Sequence, residues 1–425
     1  MNAKSSKTFS PLLLLLILIS TSLVAQQNNL TLKTCQELAM KNYPLVSNLE
    51  LVKLSGDYSV SNVKSAYLPQ ISVNGQYTIQ SDVTQLPLKL PNIIIPEISK
   101  NQYKAYAEVT QLVYDGGTVK NQKENVIAQS KIEEENLNVE LYKIKERINQ
   151  LYFGILLLKS QANQVELTKG DIKAGLDKIQ AAFKNGTALK SNVDALQVEL
   201  LKTDQRLIEL NAAMESYKNM LGLFINRPLT DTTELEMPIE INPDKDINRP
   251  EKDLFAARIN STAIQLKTIN SKNLPKVNLF FQGGYGLPAL NMLDPDANLY
   301  YIAGVRFIYP LSGFYNKHRE KSIVDLSRRN IEYQYETFLL NTKLQMTQQE
   351  VELNKNQKLI ESDNEIIELR LSIKKASLSQ LENGVITASD YIREVNNTDN
   401  ALQAQIIHRI QMLLAEYNYQ LITGN

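Results

Sequence analysis

The sequence predicts a mainly α-helical chain with four short strands, one unit of long paired helices and two strands occurring twice. Three observations predict it. No proline lies between Pro96 and Pro228 or after Pro310, and since an interior proline costs a helix ~3 kcal/mol, these runs leave room for very long helices. Through the first run, apolar residues step by fours and threes. Two Asn-Gly turns, at Gly186 and Gly384, stand 198 residues apart in similar surroundings.

At 425 residues the chain is longer than one core usually spans. Lys plus Arg and Asp plus Glu are each 46, so the formal charge is zero and the broad basic field of a nucleic-acid binder is missing. The opening MNAKSSKTFSPLLLLLILISTSLVAQQ has two lysines, an apolar run from Leu12 to Ile19 and small residues before Ala25, which reads as a secretory signal peptide over 1–25. That run is too short to cross a bilayer, and no later segment reaches the ~20 apolar residues a membrane helix needs. Export without a helical anchor is expected. Cys35, the only cysteine, reads as a small apolar filler on the first helix; "LTLKTC" lacks the small residues that precede a lipid-modified cysteine. With His318 and His408 far apart, no thiolate–imidazole zinc site is expected, nor any cofactor.

The first repeat is read over 26–222. After a helix, "ISVNGQYTIQ" alternates Ile71, Val73, Gly75, Tyr77 and Ile79 against Ser72, Asn74, Gln76, Thr78 and Gln80, a two-faced strand over 71–80. A loop at 81–101, rich in Pro, Leu and Ile, leads to a second strand over 102–113, where Tyr103, Ala105, Ala107 and Val109 oppose Gln102, Lys104, Glu108 and Thr110. A helix of about 118–184 follows, roughly 100 Å long at 1.5 Å per residue. Leu137, Leu141, Ile144, Ile148, Leu151, Ile155 and Leu158 form its seam. Asn185-Gly186 closes it, because Gly186 takes the positive φ that ends a helix, and the tip near 184–192 turns the chain back. A second seam runs from Leu189 through Val193, Leu196, Leu200, Leu207, Leu210, Met214 and Tyr217 to Leu221, broken only by Thr203.

A proline-rich, acidic stretch at 223–253 reads as a connector packed around the middle of the helices. The second repeat, 254–425, brings a helix and strands over 276–286 and 297–308, then a helical hairpin with its tip near 381–390, where Asn383-Gly384 is followed by Ser389 and Asp390 as helix openers. "NLPKVNLFFQGGY" at 273–285 resembles "YLPQISVNGQY" at 67–77, and "FIYPLSG" at 307–313 resembles "LVYDGG" at 112–117.

Four strands of about 10–12 residues with a two-residue period suit a tilted membrane crossing. A soluble sheet covered on one face by helix shows the same alternation, but helices committed to one another over ~100 Å cannot also cover a sheet. In lipid every unpaired backbone group costs several kcal/mol, so the sheet must close, and four strands cannot close around a lumen. Several chains must pool their strands. Tyrosines at 77, 103, 106, 285, 300 and 301 fit an interfacial belt.

Taken together, the signal peptide, the Leu-Pro before an alternating strand, "QLVYDGG" before a coiled helix, the paired Asn-Gly tips and the internal repeat resemble the TolC-like outer membrane efflux proteins, over about 30–425. The resemblance implies a homotrimer in the outer membrane of a Gram-negative bacterium, with four strands per protomer in a twelve-stranded barrel and the helices continuing as a periplasmic tube. It implies an exit duct for efflux or type I secretion. The partners would be a periplasmic adaptor (membrane fusion) protein and an inner-membrane RND, MFS or ABC-type transporter, docking at tips marked by Asn185, Gly186, Asn383 and Gly384. In that family, acidic side chains after the second hairpin turn narrow the periplasmic end; the matching residue, six past Gly384, is Asp390. Around it stand Asn192 at the equivalent first-repeat position, Asp194 two residues on, and Arg393 where a second acidic ring would fall. The family's Tyr and Arg lock corresponds to Leu381 and Ile386, so a gate with other contacts is expected.

A periplasmic coiled-coil adaptor is the alternative reading, but it needs only one pair of long helices and no membrane-length strands. No enzyme is expected. No glycine-rich phosphate loop is followed by Lys-Ser or Lys-Thr, and Glu133-Glu134-Glu135 reads as a solvated helix face.

Overall fold

A computed structural model describes residues 30–84, 98–230, 233–242 and 244–425. The export signal read at 1–25 lies outside them, as do residues 85–97 of the first loop. The order is α1 (Leu32–Asn42), α2 (Val46–Lys64), β1 (Gln70–Ile79), β2 (Asn101–Tyr114), α3 (Thr118–Lys184), α4 (Lys190–Ile225), α5 (Glu251–Lys272), β3 (Lys276–Leu287), β4 (Asn298–Ile308), α6 (Phe314–Glu382) and α7 (Ala388–Thr423). The series of helix, two strands, very long helix and returning helix thus runs twice. The very long helices have 67 and 69 residues, and both returning helices have 36. Among the described residues, no helix is long and apolar enough to cross a membrane.

Packing divides the chain into two units. One comprises Ser47–Val139 and Pro250–Leu340. Its sheet is antiparallel in the order β1-β2-β3-β4, with Val73 opposite Ala107, Ala107 opposite Gly283 and Gly283 opposite Tyr301. Because successive side chains alternate, that register gathers the apolar residues of all four strands on one face. The exposure is inverted relative to a soluble sheet: Val73 is 83% and Leu299 82% exposed, whereas Glu108, on the polar face, keeps 15% of its side chain exposed.

The turn after β2 shows why "YDGG" precedes a long helix. Asp115 Oδ1 accepts from the Gly117 amide at 2.8 Å and Oδ2 from the Val119 amide at 2.6 Å, satisfying donors that the first turn of α3 leaves free. Gly116 has φ +67°, and any side chain there would run into Leu274. Against this part of α3 lie α2, through Lys53–Glu134 at 3.7 Å, and α5, through Lys267–Glu124 at 3.2 Å.

The other unit comprises the described residues up to Val46, with Glu140–Arg249 and Asn341–Asn425. Leu141, Ile144, Ile148 and Ile155 of the α3 seam are buried in it, and Cys35 is completely buried, its thiol pushed up to about 12 by that burial. Along α4 the predicted seam buries Leu196, Leu207 and Leu221, while Leu189 and Tyr217, toward its two ends, are exposed. Thr203 is buried too, and its hydroxyl donates to the Leu200 carbonyl at 2.6 Å, so the apparent break costs no unsatisfied group. The connector straps this unit. Leu235 pairs with Leu30, the Tyr152 hydroxyl sits 2.6 Å from the carbonyls of both Leu30 and Glu236, and the Ile241 amide donates to Glu416 at 3.1 Å.

Candidate functional site

The two hairpin tips are built alike. In the first, the Gly186 amide donates to Phe183 and the Thr187 amide to Ala182, both at 2.9 Å; in the second, Gly384 donates to Leu381 at 3.1 Å and Val385 to Gln380 at 2.9 Å. This crossed pair of bonds needs a residue with positive φ, which Gly186 at +73° and Gly384 at +69° supply. Nothing lies within 4 Å of a Cβ built on either glycine, so backbone conformation alone demands them. Asn383 adds a bond from its amide to the Ser379 carbonyl at 2.8 Å.

Beyond the turns the tips differ. The first residue before α4 is Leu189, which offers no side-chain cap. At α7, Thr387 is the N-cap, with Asp390 three residues on: Thr387 Oγ1 accepts from the Asp390 amide at 3.2 Å, and Asp390 Oδ2 accepts from the Thr387 amide at 3.2 Å and its hydroxyl at 2.7 Å. This is a reciprocal capping box. The opener is therefore Thr387, and Asp390 is its partner; Ser389 lies inside the first turn. Arg393 Nη2 stands 3.1 Å from Asp390 Oδ1, a pair one helical turn apart. The bonds from Thr387, then Arg393, hold the Asp390 carboxyl below the ordinary aspartate range, so it is ionised at neutral pH. Asn192 and Asp194 occupy the first turns of α4, Asn192 half-buried and Asp194 exposed.

Below the tips one apolar cluster joins the two hairpins: Ile172, Leu176 and Ile179 of α3, Leu196 of α4, Leu381 of α6, and Ala388, Tyr391 and Val395 of α7. Leu381 is thus a core residue. Gly175 leaves room for the Tyr391 ring, which a Cβ there would meet at 2.5 Å, and the Tyr391 hydroxyl donates to the Asp171 carbonyl at 3.0 Å. Lys374 pairs with Asp171 at 2.5 Å and Arg370 with Glu394 at 3.2 Å.

Sequence reasoning missed the polar centre deeper in the bundle. Asp399 of α7 is buried and accepts from Thr168 at 2.8 Å and Gln164 at 3.3 Å on α3, and from Arg206 of α4 at 2.8 Å. One signal marked it: Asp399 falls seven residues from Ile392 and from Ile406, with Leu413 seven beyond, a polar residue in an otherwise apolar heptad. Three helices from two hairpins meet at this carboxylate. A shared apolar cluster plus a buried ionic knot lets the hairpins hold one relative position firmly and obliges any other to break a short list of named bonds.

Residues 37–226 match the family described as outer membrane efflux protein. No curated protein matches the chain. Among solved structures, the outer membrane protein VceC of Vibrio cholerae is 13% identical, covering 92% of this chain and 95% of its own, with a TM-score of 0.66. The CmeC outer membrane channel of Campylobacter jejuni is 14% identical over 92% of this chain and 85% of its own, with a TM-score of 0.65. The open state of the MtrE outer membrane channel of Neisseria gonorrhoeae is 12% identical over 92% and 89%, with a TM-score of 0.66. At these identities the likeness is one of fold. Residues 37–226 thus match the outer membrane efflux protein family, and the second half of the chain repeats the same series of elements in a fold shared with outer membrane channels.

Proposed function

We propose that three copies of this chain close their sheets into one twelve-stranded barrel and serve as the exit duct of a tripartite efflux or type I secretion system. The observation that carries this reading is the inverted exposure of the sheet. An apolar face left uncovered across four strands, opposite a more enclosed polar face, suits lipid outside and water inside. β1 and β4 are the edges of the sheet, and in lipid their free backbone groups require strands from other copies. A stripe on α6 supports the same assembly: Leu326, Tyr333 and Leu340 are exposed seven residues apart, as are Leu344 and Val351, the period of a helix awaiting a partner helix.

The tips at Asn185-Gly186 and Asn383-Gly384 are the docking ends for a periplasmic adaptor and an inner-membrane transporter of the RND, MFS or ABC type. Between them, Asp390 with Arg393, Asn192 and Asp194 forms the constriction. Three Asp390–Arg393 pairs would make a ring of alternating charge, weaker than a ring of bare carboxylates. Replacing Asp390 with Ala is expected to lower cation preference; unchanged selectivity would remove it from the gate.

The assembly is tested by purifying the full chain in detergent, measuring its mass, and adding it to planar bilayers. A trimer that conducts supports the reading. A water-soluble monomer that never perforates the bilayer overturns it.

A further inference from the structure

We propose that Glu108 and Arg306 neutralise each other on the barrel's inner wall, paired flat against the sheet so that neither charge sets the potential at their level of the bore. The inference rests on the closed-barrel reading above, which makes the polar face of the sheet the wall of the bore. On that face the register aligns Ser72, Glu108, Gln282 and Ile302 across the four strands. Arg306 belongs to β4, opposite Asn278 of β3, and Glu108 to β2, opposite Gln282, so the pair spans two strand spacings, ~9.6 Å, across β3 and about four residues, ~13 Å, along the strands. Side chains standing up from the wall would not meet over that distance.

They meet because both lie along the sheet. The Arg306 guanidinium is 4.8 Å from the Phe280 ring centroid, and that ring rests on Gly304, where a Cβ would come within 3.0 Å of it. From there Arg306 Nη2 reaches Glu108 Oε1 at 3.2 Å. The other carboxylate oxygen accepts from Gln282 Nε2 at 2.9 Å, and the Thr110 hydroxyl stands 3.4 Å from Oε1. Glu108 is thereby held by three partners and kept mostly covered, while Arg306, 44% exposed, is laid flat over an aromatic ring. The remaining charges of this face are Lys104, opposite Gln76 and Gly286, and Lys276, opposite Ile308.

An unpaired charge on a water-filled wall backed by lipid focuses its field into the bore, and a trimer would carry three. Pairing cancels that field at the level of Glu108 and Arg306. A purely structural tie between strands would affect stability and leave the potential in the bore unmoved, which gives the two roles different readouts.

The test introduces Ser72→Cys, next to Glu108 in register, into the full chain in proteoliposomes and measures the reaction of the new thiol with a cationic and an anionic methanethiosulfonate reagent. Cys35 is buried and contributes no background. One unpaired charge about 6 Å away changes each rate roughly threefold in opposite directions, about tenfold in their ratio. Glu108→Gln is expected to lower the cation-to-anion ratio, Arg306→Gln to raise it, and the double variant to return it to within about twofold. These shifts should shrink at 1 M salt, where the screening length is ~3 Å. Either single variant decides the sign by itself if the other does not assemble. A reactive thiol at position 72 whose ratio ignores both substitutions overturns the pair's role. A thiol there that reacts with neither reagent overturns the barrel reading beneath it.

Discussion

Placing an arginine at Val73 tests which face of the sheet meets lipid. Val73 lies near the middle of β1, in the row Val73, Ala107, Gly283 and Tyr301, and is 83% exposed. In water, arginine at so exposed a position changes stability by no more than about 0.5 kcal/mol. Facing hydrocarbon near the midplane it costs ~2–4 kcal/mol per chain, or roughly 6–12 kcal/mol for a trimer. The neighbouring Ser72→Arg supplies the control, since the alternation points it to the opposite face, beside the Glu108 carboxylate. Both variants add the same side chain to the same strand one residue apart, so β-propensity and expression affect them alike. The assay is a guanidinium titration of protein folded into phospholipid vesicles, read by protease protection of residues 70–114. Val73→Arg should unfold at much lower denaturant, or fail to insert, while Ser72→Arg stays near the unmodified protein. Equal midpoints, or a larger loss for Ser72→Arg, would refute the assignment of the faces.

Three further outcomes follow from the helical unit. Asp399→Ala should loosen α7 by about 2–3 kcal/mol, less than a fully buried pair because the Arg206 side chain is 42% exposed and rehydrates. Hydrogen exchange at amides 396–406 should then quicken roughly 30- to 160-fold while Ile148–Leu156 stays protected, and an unchanged rate would show the knot to be ornamental. Thr387→Ala should cost the start of α7 about 1 kcal/mol and let the Asp390 carboxyl rise toward its ordinary value, which carboxyl NMR titration reads. Because the folded Asp390 is depressed, the stability it lends is fully present above the ordinary aspartate value of 3.8 and is lost as pH falls through the lower folded one. Cys35, raised to about 12 and buried, should resist thiol reagents at pH 8 in the folded protein and react freely in guanidinium.

Most of the fold was legible because its signals are local and repeated. A missing proline, a glycine in a helix-closing turn and a two-residue alternation each constrain the backbone within a few residues, so the strands and the ends of α3 fall within two residues of the ranges read from sequence. The capping box was half legible. Ser389 and Asp390 are both ordinary helix openers, and only the backbone shows that Thr387 occupies the cap and Asp390 answers it from the third helical position. Asp399 was harder still: "NNTDNALQ" reads as a solvated turn of helix, and its burial depends on Thr168 and Gln164 arriving from more than 230 residues away.

By itself, then, the sequence determined which segments are helix and strand, where the hairpins turn, and which face of each strand is apolar, since all of these follow from spacing along one chain. Tertiary structure alone decided which side chains meet across elements: Arg306 passing over Phe280 to Glu108, Tyr391 entering the space left by Gly175, and three helices converging on Asp399. The physical reason is that backbone conformation is set by neighbours in sequence, whereas the pairing of buried charges is set by register between elements hundreds of residues apart, and that register exists only once the helices and strands have packed.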